Sequence, residues 1–275
     1  MSSSEREIFG LSINSNVRLE GSVIPTSNVA IAKIHSFLQE LKDRGLLEQM
    51  AGMVVYGSVA INDISHRSDL DVLIVTADLP SVTINKVRRR MERMQKASSP
   101  LPQARSGIEQ LVEWLMPRLG FYPQLHPTIC RADFLHGKYK QLKTGDPLTK
   151  KVFPTRLTFA SIVSQPIVLG NLEAPQVKMD KADLIRELLK SAMVYGSLSL
   201  AAPPLSHLSS WGEVGAYEFS KLSLKNCVFA LRNRNGTFAE LEEEFGPVLS
   251  AQFWEEFTKA RNSNWRDHKR SKLVF

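Results

Sequence analysis

The chain has 275 residues, of which 43% are hydrophobic and 23% charged, an ordinary balance for a soluble globular protein. This length allows one large domain or two of ordinary size, each with a substantial core. No apolar run reaches 18 residues, the N-terminus lacks the apolar segment of a signal peptide, and no repeat has a solenoid period. The sequence therefore predicts no membrane span, no signal peptide and no solenoid.

The chain is basic, with 35 Lys and Arg against 28 Asp and Glu, a formal charge of +7. This charge favours anionic partners such as nucleotides, RNA, DNA or acidic lipid, although it also fits a generic basic surface. The cysteines, Cys130 and Cys227, lie far apart and have no metal-ligand spacing. A reducing cytoplasm is the expected location.

The first part of the chain predicts a helix, a strand, a turn and a second strand. Residues 1–27 are expected to be irregular, and a helix follows from Ser27 to about Leu47 with apolar residues at helical spacing. Those apolar positions are Val29, Ile31, Ile34, Phe37, Leu38 and Leu41, and we expect them to face a core. A strand at Met53–Tyr56 then leads through Gly57-Ser58 and a polar connection to a strand that carries Asp69 and Asp71 and closes near Ala77.

Asp69 and Asp71 stand two residues apart on this strand, so both side chains are expected on one face. Two adjacent carboxylates are costly to hold without a cation, and oxygen ligands suit Mg²⁺ or Mn²⁺. The Gly57-Ser58 turn supplies backbone that a phosphate can approach. The pattern predicts a metal–phosphate site, and the alternative is a solvated pair of acids beside a turn.

The next segment, Ile84 to Lys96, predicts a strongly basic helix, followed by a Ser/Pro loop at residues 97–106 and a helix at Ile108–Leu119. Two interpretations of the basic helix stay open. It is either a solvated helix face or a patch that attracts a polyanionic acceptor. Its basic residues are Lys86, Arg88, Arg89, Arg90, Arg93 and Lys96.

A third strand is expected at Gln124–Cys130, where Pro127 indicates a sheet edge, and a turn or helix containing Asp133 follows it. A helix containing Ile162 then precedes a strand at Pro166–Gly170. Beyond a linker at Asn171–Asp180 the pattern is helical, with helices at Asp183–Ala201, Val214–Leu231, Glu240–Phe245 and Leu249–Ala260.

This order predicts an α+β fold, with a small mixed β-sheet and flanking helices followed by a C-terminal helical bundle. The expected units are an irregular segment at 1–27, a sheet domain at 28–172 and a helical domain at 173–275. The crevice between the two domains is the expected place for a ligand.

One motif resembles a known family. Gly57-Ser58, ten intervening residues and Asp69-Leu70-Asp71-Val72 resemble the signature of the nucleotidyltransferase superfamily, which has the DNA polymerase β-like fold. Ser68 precedes the first acid, as it does in many members. The resemblance covers about residues 28–172, and the sheet-then-helices order also resembles antibiotic-modifying, aminoglycoside-type and small stand-alone members.

The resemblance implies roles for these residues. Gly57, Ser58 and Ser68 would hold the triphosphate of an NTP, and Asp69 and Asp71 would bind catalytic Mg²⁺ or Mn²⁺. The reaction would transfer an NMP to a hydroxyl or phosphate acceptor and release pyrophosphate. The sequence does not select the base of the NTP.

The family commonly has a third carboxylate on a later strand, and this chain departs from that pattern. The position that we align holds His126, and the nearest acid is Asp133. Three outcomes stay open: Asp133 is the third acid, His126 substitutes as a base or ligand, or the site is impaired. An impaired site would make the chain a nucleotide-binding protein without catalysis.

The acceptor has several candidates. The basic charge and the helix carrying Arg88, Arg89, Arg90 and Arg93 favour an anionic acceptor such as RNA. Glu240–Glu244 is either a solvated helix face or a receptor for a basic acceptor, which would favour antibiotic modification. Toxin–antitoxin members, which act on a small molecule or a protein beside a partner protein, are a further alternative. The run Arg232-Asn-Arg-Asn-Gly has no nearby His, so we predict no RNase in the C-terminal half.

Overall fold

The computed structural model describes a large part of the chain, namely residues 7–8, 11–12, 28–65, 68, 70–98, 127–138, 153–175, 177, 179–197, 199 and 210–262. Asp69, His126, the predicted helix Ile108–Leu119 and most of the 97–106 loop lie outside the described residues. In chain order the elements are β1 (Glu7–Ile8), β2 (Leu11–Ser12), α1 (Asn28–Asp43), β3 (Met50–Tyr56), α2 (Gly57–Ala60), β4 (Asp71–Thr76), α3 (Ser81–Ser98), β5 (Thr128–Cys130), α4 (Arg131–Leu135), α5 (Thr155–Ser164), β6 (Ile167–Gly170), α6 (Lys181–Ser191), α7 (Ser210–Arg232), α8 (Phe238–Phe245) and α9 (Ala251–Asn262).

A mixed four-stranded sheet forms the centre of the first half, in the order β5-β4-β3-β6. β3 runs antiparallel to both β4 and β6, whereas β4 and β5 are parallel. Together with the flanking and C-terminal helices, this sheet confirms the predicted α+β fold class. Pro127 directly precedes the edge strand β5 and accepts a hydrogen bond from the Ile74 amide at 2.8 Å. A proline is tolerated there because an edge strand does not need every amide for the ladder.

The antiparallel register decides which residues meet at each end of the sheet. Tyr56, the last residue of β3, pairs with Asp71, the first residue of β4. Gly57 and Asp71 therefore lie at the same end. Because β4 and β5 are parallel, the residues that follow Thr76 and Cys130 lie together at the opposite end.

Alternating side chains of the strands form two cores, one on each face of the sheet. On the first face, the buried residues Val55, Val72 and Ile74 pack with helices α1 and α3. On the second face, Leu73 and Val75 pack with helix α5. Both strands contain uninterrupted apolar runs, so apolar side chains leave the sheet on both faces and both faces are covered.

Helix α1 confirms most of its predicted core positions, since Ile34, Phe37, Leu38 and Leu41 are buried. The prediction that Val29 faces the core is wrong, because 52% of this residue is exposed at the start of the helix. The expectation that residues 1–27 are wholly irregular is also wrong. Glu7–Ile8 and Leu11–Ser12 form a short antiparallel pair of strands.

The C-terminal half consists of helices in the residues that the structure describes. Asp180 caps the N-terminus of helix α6, since its carboxylate accepts a hydrogen bond from the Asp183 amide, and a π-helical turn (Ala192–Gly196) extends the helix. Helix α8 begins with a capping box formed by Thr237 and Glu240. The aromatic core of this half contains Tyr217, Phe253, Trp254 and Phe257.

The segment Asn171–Asp180, which was predicted as a linker, also contributes to the core. Leu172 is fully buried and packs in the core on the second face of the sheet. The two halves also share polar contacts at helix α5. The buried carboxylate of Glu187, on α6, accepts hydrogen bonds from the Arg156 and Leu157 amides at 2.9 and 3.2 Å, where the first turn of α5 leaves amides unpaired. The helical half is thereby fixed on the second face of the sheet.

None of the helices in the described ranges is long and apolar enough to cross a bilayer.

Candidate nucleotide site at one end of the sheet

Gly57 lies directly against Asp71. Gly57 has φ +71°, a left-handed conformation that favours glycine. A Cβ at this position would collide with the carboxylate of Asp71 and would lie 3.2 Å from its Cγ atom. The absence of a side chain at residue 57 therefore allows the turn to approach the acid. Two residues of the motif, which lie 14 positions apart in the sequence, are in contact.

Asp71 is partly buried and belongs to the face of β4 that carries Leu73 and Val75. Its charge acts on Tyr56, its partner across the ladder. Burial, and secondly the charge of Asp71, raise the pKa of the Tyr56 phenol well above its usual range. This end of the sheet thus carries negative charge in a partly desolvated setting, which a cation would relieve.

The donor set at this end fits one carboxylate ligand of a divalent ion. Asp71 supplies an oxygen donor of the kind that Mg²⁺ and Mn²⁺ prefer. Its predicted partner Asp69 lies outside the described residues. Among the residues that the structure describes, no cluster of three or more His, Cys, Asp or Glu side chains is arranged to hold a metal.

The serines of the motif take part in the backbone geometry of the connection. The Ser58 carbonyl accepts a hydrogen bond from the Asp63 amide at 2.8 Å. The Ser68 hydroxyl accepts one from the Ser65 amide at 2.8 Å, and the Ser68 carbonyl accepts one from Lys33 on α1, also at 2.8 Å. Ser68 therefore shapes the turn before β4, and its contact with a nucleotide stays a prediction.

The charge of Asp71 acts on two lysines of helix α7, neither of which was predicted as a site residue. Lys221 and Lys225 are one helical turn apart, and the charge of Asp71 contributes to the pKa of each. Burial would lower the pKa of Lys221, but Glu218, Tyr217 and Asp71 raise it to about 12, and its ammonium group is 2.6 Å from the Glu218 carboxylate. Burial, and secondly the charge of Lys221, lower the pKa of Lys225.

A sequence signal for these lysines was present. They are four residues apart in a helix whose other positions are mainly apolar, which places two cations on one face. The sequence could not show that these lysines lie within electrostatic range of Asp71, about 150 residues earlier in the chain. That proximity depends on how the helical half packs on the sheet.

Asp133 lies at the opposite end of the sheet. It follows β5, whose last residue pairs with Thr76, whereas Asp71 begins β4. Five residue steps along β4 span about 16 Å, too far for both acids to bind one ion. Asp133 instead forms an ion pair with Lys138 at 2.9 Å. Burial would raise the pKa of its carboxyl group, but hydrogen bonds from Lys138 and Cys130 lower it. The structure does not bring Asp133 to Asp71, so we do not retain it as the third acid.

The basic helix α3 packs on the other face of the sheet, where its Val87 and Met91 are buried with Val72. The guanidinium of Arg88 donates two hydrogen bonds to the Thr128 carbonyl, at 3.0 and 3.2 Å, so it anchors the edge strand. The other predicted acceptor-binding arginines are exposed, namely Arg89, Arg90 and Arg93. The structure therefore does not place α3 on the face to which Asp71 belongs.

The acidic run of α8 is occupied by the chain's own arginines. Arg232 pairs with Glu240 at 2.9 Å and with Glu244 at 2.8 Å, and Arg234 also pairs with Glu240. A hydrogen bond from Arg234, followed by one from the Thr237 amide, lowers the pKa of Glu240 to about 2. These ion pairs weaken the case for a basic acceptor at Glu240–Glu244.

Comparison of the chain with protein-family models, curated proteins and solved structures gives no match. The resemblance to nucleotidyltransferases therefore rests on the sequence motif alone.

Proposed function

We propose that the chain is a metal-dependent nucleotidyltransferase that transfers an NMP from an NTP to a hydroxyl or phosphate acceptor and releases pyrophosphate. The observation that carries this proposal is the contact of Gly57 with Asp71 at one end of the sheet, where the charge of Asp71 also acts on two lysines of α7. An acid for a cation and lysines for phosphates are the two kinds of group that an NTP–metal complex requires.

In this mechanism Asp71 and Asp69 would hold Mg²⁺ or Mn²⁺, which when bound would neutralise charge on the α-phosphate and on the leaving oxygens. The backbone of the Gly57-Ser58 turn would approach a phosphate, and Lys221 and Lys225 would oppose the charge of the triphosphate. The acceptor oxygen gives its proton to solvent water and bonds to the α-phosphorus, while the bond from that phosphorus to the bridging oxygen breaks and pyrophosphate leaves.

The proposed acceptor is RNA. The net charge of +7 and the exposed residues Arg89, Arg90 and Arg93 support a polyanion. The ion pairs of Arg232 with the acidic run of α8 disfavour the cationic antibiotics that would otherwise bind there. We further propose a cytoplasmic location, which the free thiols of Cys130 and Cys227 support.

A second candidate is a nucleotide-binding protein of the same fold without catalysis. It is favoured by the position of Asp133, which is paired with Lys138 at the far end of the sheet. That position removes the nearest candidate for the third acid.

The two candidates differ in label transfer. Purified protein is incubated with each α-labelled NTP, with Mg²⁺ or Mn²⁺, and with total RNA, lysate protein or an aminoglycoside in separate reactions. We expect label on RNA and release of pyrophosphate, both lost in Asp69→Asn and Asp71→Asn. Tight NTP binding without transfer or pyrophosphate release under either metal would reject the enzyme. Label on protein or on the antibiotic would reject RNA as the acceptor.

A further inference from the structure

Asp63 connects the Gly57-Ser58 turn to two helices of the C-terminal half. Its amide donates to the Ser58 carbonyl at 2.8 Å. One oxygen of its carboxylate accepts a hydrogen bond from the Phe238 amide at 2.9 Å, and the other accepts one from the Arg261 guanidinium at 2.6 Å. The preceding residue Asn62 has φ +55°, a left-handed conformation that Asn tolerates and that turns the chain just before Asp63. One residue thus bonds to both the turn and the helical half.

The two helix positions are themselves well anchored. Phe238 is the first residue of α8, where amides lack helical partners, and Arg261 lies in the last turn of α9. The Arg261 guanidinium lies 4.3 Å from the centroid of the Phe238 ring, and that ring stacks on Phe257 in the aromatic core. The side chains of Asp63 and Arg261 are only 16% and 17% exposed, so water screens their ion pair weakly. We call this set of contacts the Asp63 clasp.

Two other polar links between the halves reach helix α5 rather than the turn. Glu187 binds the amides at the start of α5, and Asn235 donates to the Ser161 carbonyl at 2.8 Å. Lys225 experiences the charges of both Asp63 and Asp71. The clasp therefore joins the turn to the half that carries the α7 lysines, close to where those lysines face Asp71.

We propose that Asp63 is a positioning residue of the nucleotide site, whose clasp holds the Gly57-Ser58 turn at the correct distance from Lys221 and Lys225. This inference rests on the proposed function and adds a coupling between the halves. Any movement of α8 and α9 away from the sheet would withdraw the turn from its place beside the lysines. A triphosphate that contacts both the turn and the lysines would in turn favour the closed clasp.

The test compares Asp63→Asn with Asp183→Asn. Asparagine at 63 keeps an oxygen for the Phe238 amide but loses the charge that binds Arg261. Asp183 is a matched control, because it is 17% exposed and forms an ion pair between the halves, with Arg156 on α5. Both variants and the wild type are measured for the dissociation constants of the four NTPs with Mg²⁺ and for amide exchange of residues 57–63. If Asp63→Asn folds poorly, Arg261→Lys replaces it in the test, because it changes the same ion pair through the other partner.

We expect Asp63→Asn to weaken NTP binding about tenfold and to accelerate amide exchange in residues 57–63, because a charged hydrogen bond that orders the turn is lost. Asp183→Asn should lower the melting temperature about as much as Asp63→Asn does. It should leave the NTP dissociation constants and the amide exchange of residues 57–63 unchanged. Unchanged exchange in Asp63→Asn, or faster exchange with an unchanged dissociation constant, would overturn the clasp. A wild-type protein that binds none of the NTPs would instead overturn the proposed function itself.

Discussion

The two ends of the sheet each carry a partly buried aspartate, but the cations that face these acids come from different parts of the chain. Lys138, five residues after Asp133, forms its ion pair through a short helix and turn. Lys221 and Lys225, which act on Asp71, come from a helix of the other half. One end is therefore a local ion pair, and the other exists only when the two halves are packed together.

This difference separates a structural pair from a candidate site. The Asp133–Lys138 pair is in direct contact, and 60% of the lysine side chain is exposed. Exposed pairs of this kind contribute about 0–1 kcal/mol to stability. At the other end, Lys221 is paired with Glu218 on its own helix, Lys225 is partly desolvated, and the charge of Asp71 acts on both lysines from the other half. A ligand that carries both a cation and phosphates would bind between such groups.

The largest expected effect is on catalysis at the Asp71 end. Asp71→Asn should reduce nucleotide transfer by at least about a hundredfold, because loss of an outer-shell partner alone typically costs 10–100-fold at a metal site. Asp133→Asn should change the rate by less than about twofold, because it removes only an exposed ion pair. Label transfer from the NTP, measured for both variants under identical conditions, checks this contrast. Equal losses in the two variants would contradict the assignment of the site to the Asp71 end.

Stability should show a second contrast, between two glycines with positive φ. Gly57→Ala should lower the free energy of unfolding by about 2–3 kcal/mol, since a left-handed alanine costs about 1–2 kcal/mol and its Cβ would also collide with Asp71. Gly45 has φ +62°, but a Cβ added there would have no atom within 4 Å, so Gly45→Ala should cost only about 1–2 kcal/mol.

Urea unfolding of both variants measures this difference. If the two alanines cost the same, the turn is not pressed against Asp71 in solution. Asp71→Ala combined with Gly57→Ala should recover the part of the loss that is due to the collision, which a double-mutant cycle isolates.

The sequence predicted the elements of the Asp71 end well, because each has a local signal. The apolar runs before Gly57 and after Asp71 indicate strands, and Gly57-Ser58 indicates a turn with unusual backbone conformation. Pairing of the two strands follows from their short connection. Local patterns were therefore enough to predict that Gly57 and Asp71 share one end of the sheet.

The rest depended on relations that a single sequence does not contain. The separation of Asp133 from Asp71 was not predictable, because β5 runs parallel to β4 and strand direction is not encoded in a short apolar run. The lysines of α7 and the Asp63 clasp were missed because they join residues more than 140 positions apart. The exposed Val29 shows the same limit, since the helical period predicts an apolar face but not how far its neighbours extend.

Nucleotide affinity should distinguish the lysines at the two ends of the sheet. Lys225→Met keeps most of the side-chain volume and should weaken NTP binding about tenfold, which is about 1.4 kcal/mol and typical of one charged hydrogen bond to phosphate. Lys138→Met, at the other end, should leave the dissociation constant unchanged. Titration calorimetry with an NTP and Mg²⁺ measures both. A loss in Lys138→Met as large as that in Lys225→Met would mean that binding reflects overall charge rather than the α7 lysines.

The smallest expected effect is a pH dependence that differs between the two lysines of α7. The pKa of Lys225 is lowered from 10.5 in the folded protein, so between its folded and unfolded pKa values the unfolded chain binds more protons. Stability from this group therefore rises with pH across that window, while NTP binding weakens as Lys225 loses its charge. The pKa of Lys221 is raised to about 12, so its contribution to stability is complete below pH 10.5 and is lost only as the pH rises towards 12.

Urea unfolding and NTP titrations from neutral pH upward test this difference in wild type, Lys225→Met and Lys221→Met. The change in stability and in NTP binding that is due to Lys225 should appear in every protein except Lys225→Met. Its persistence in that variant would assign the change to another group.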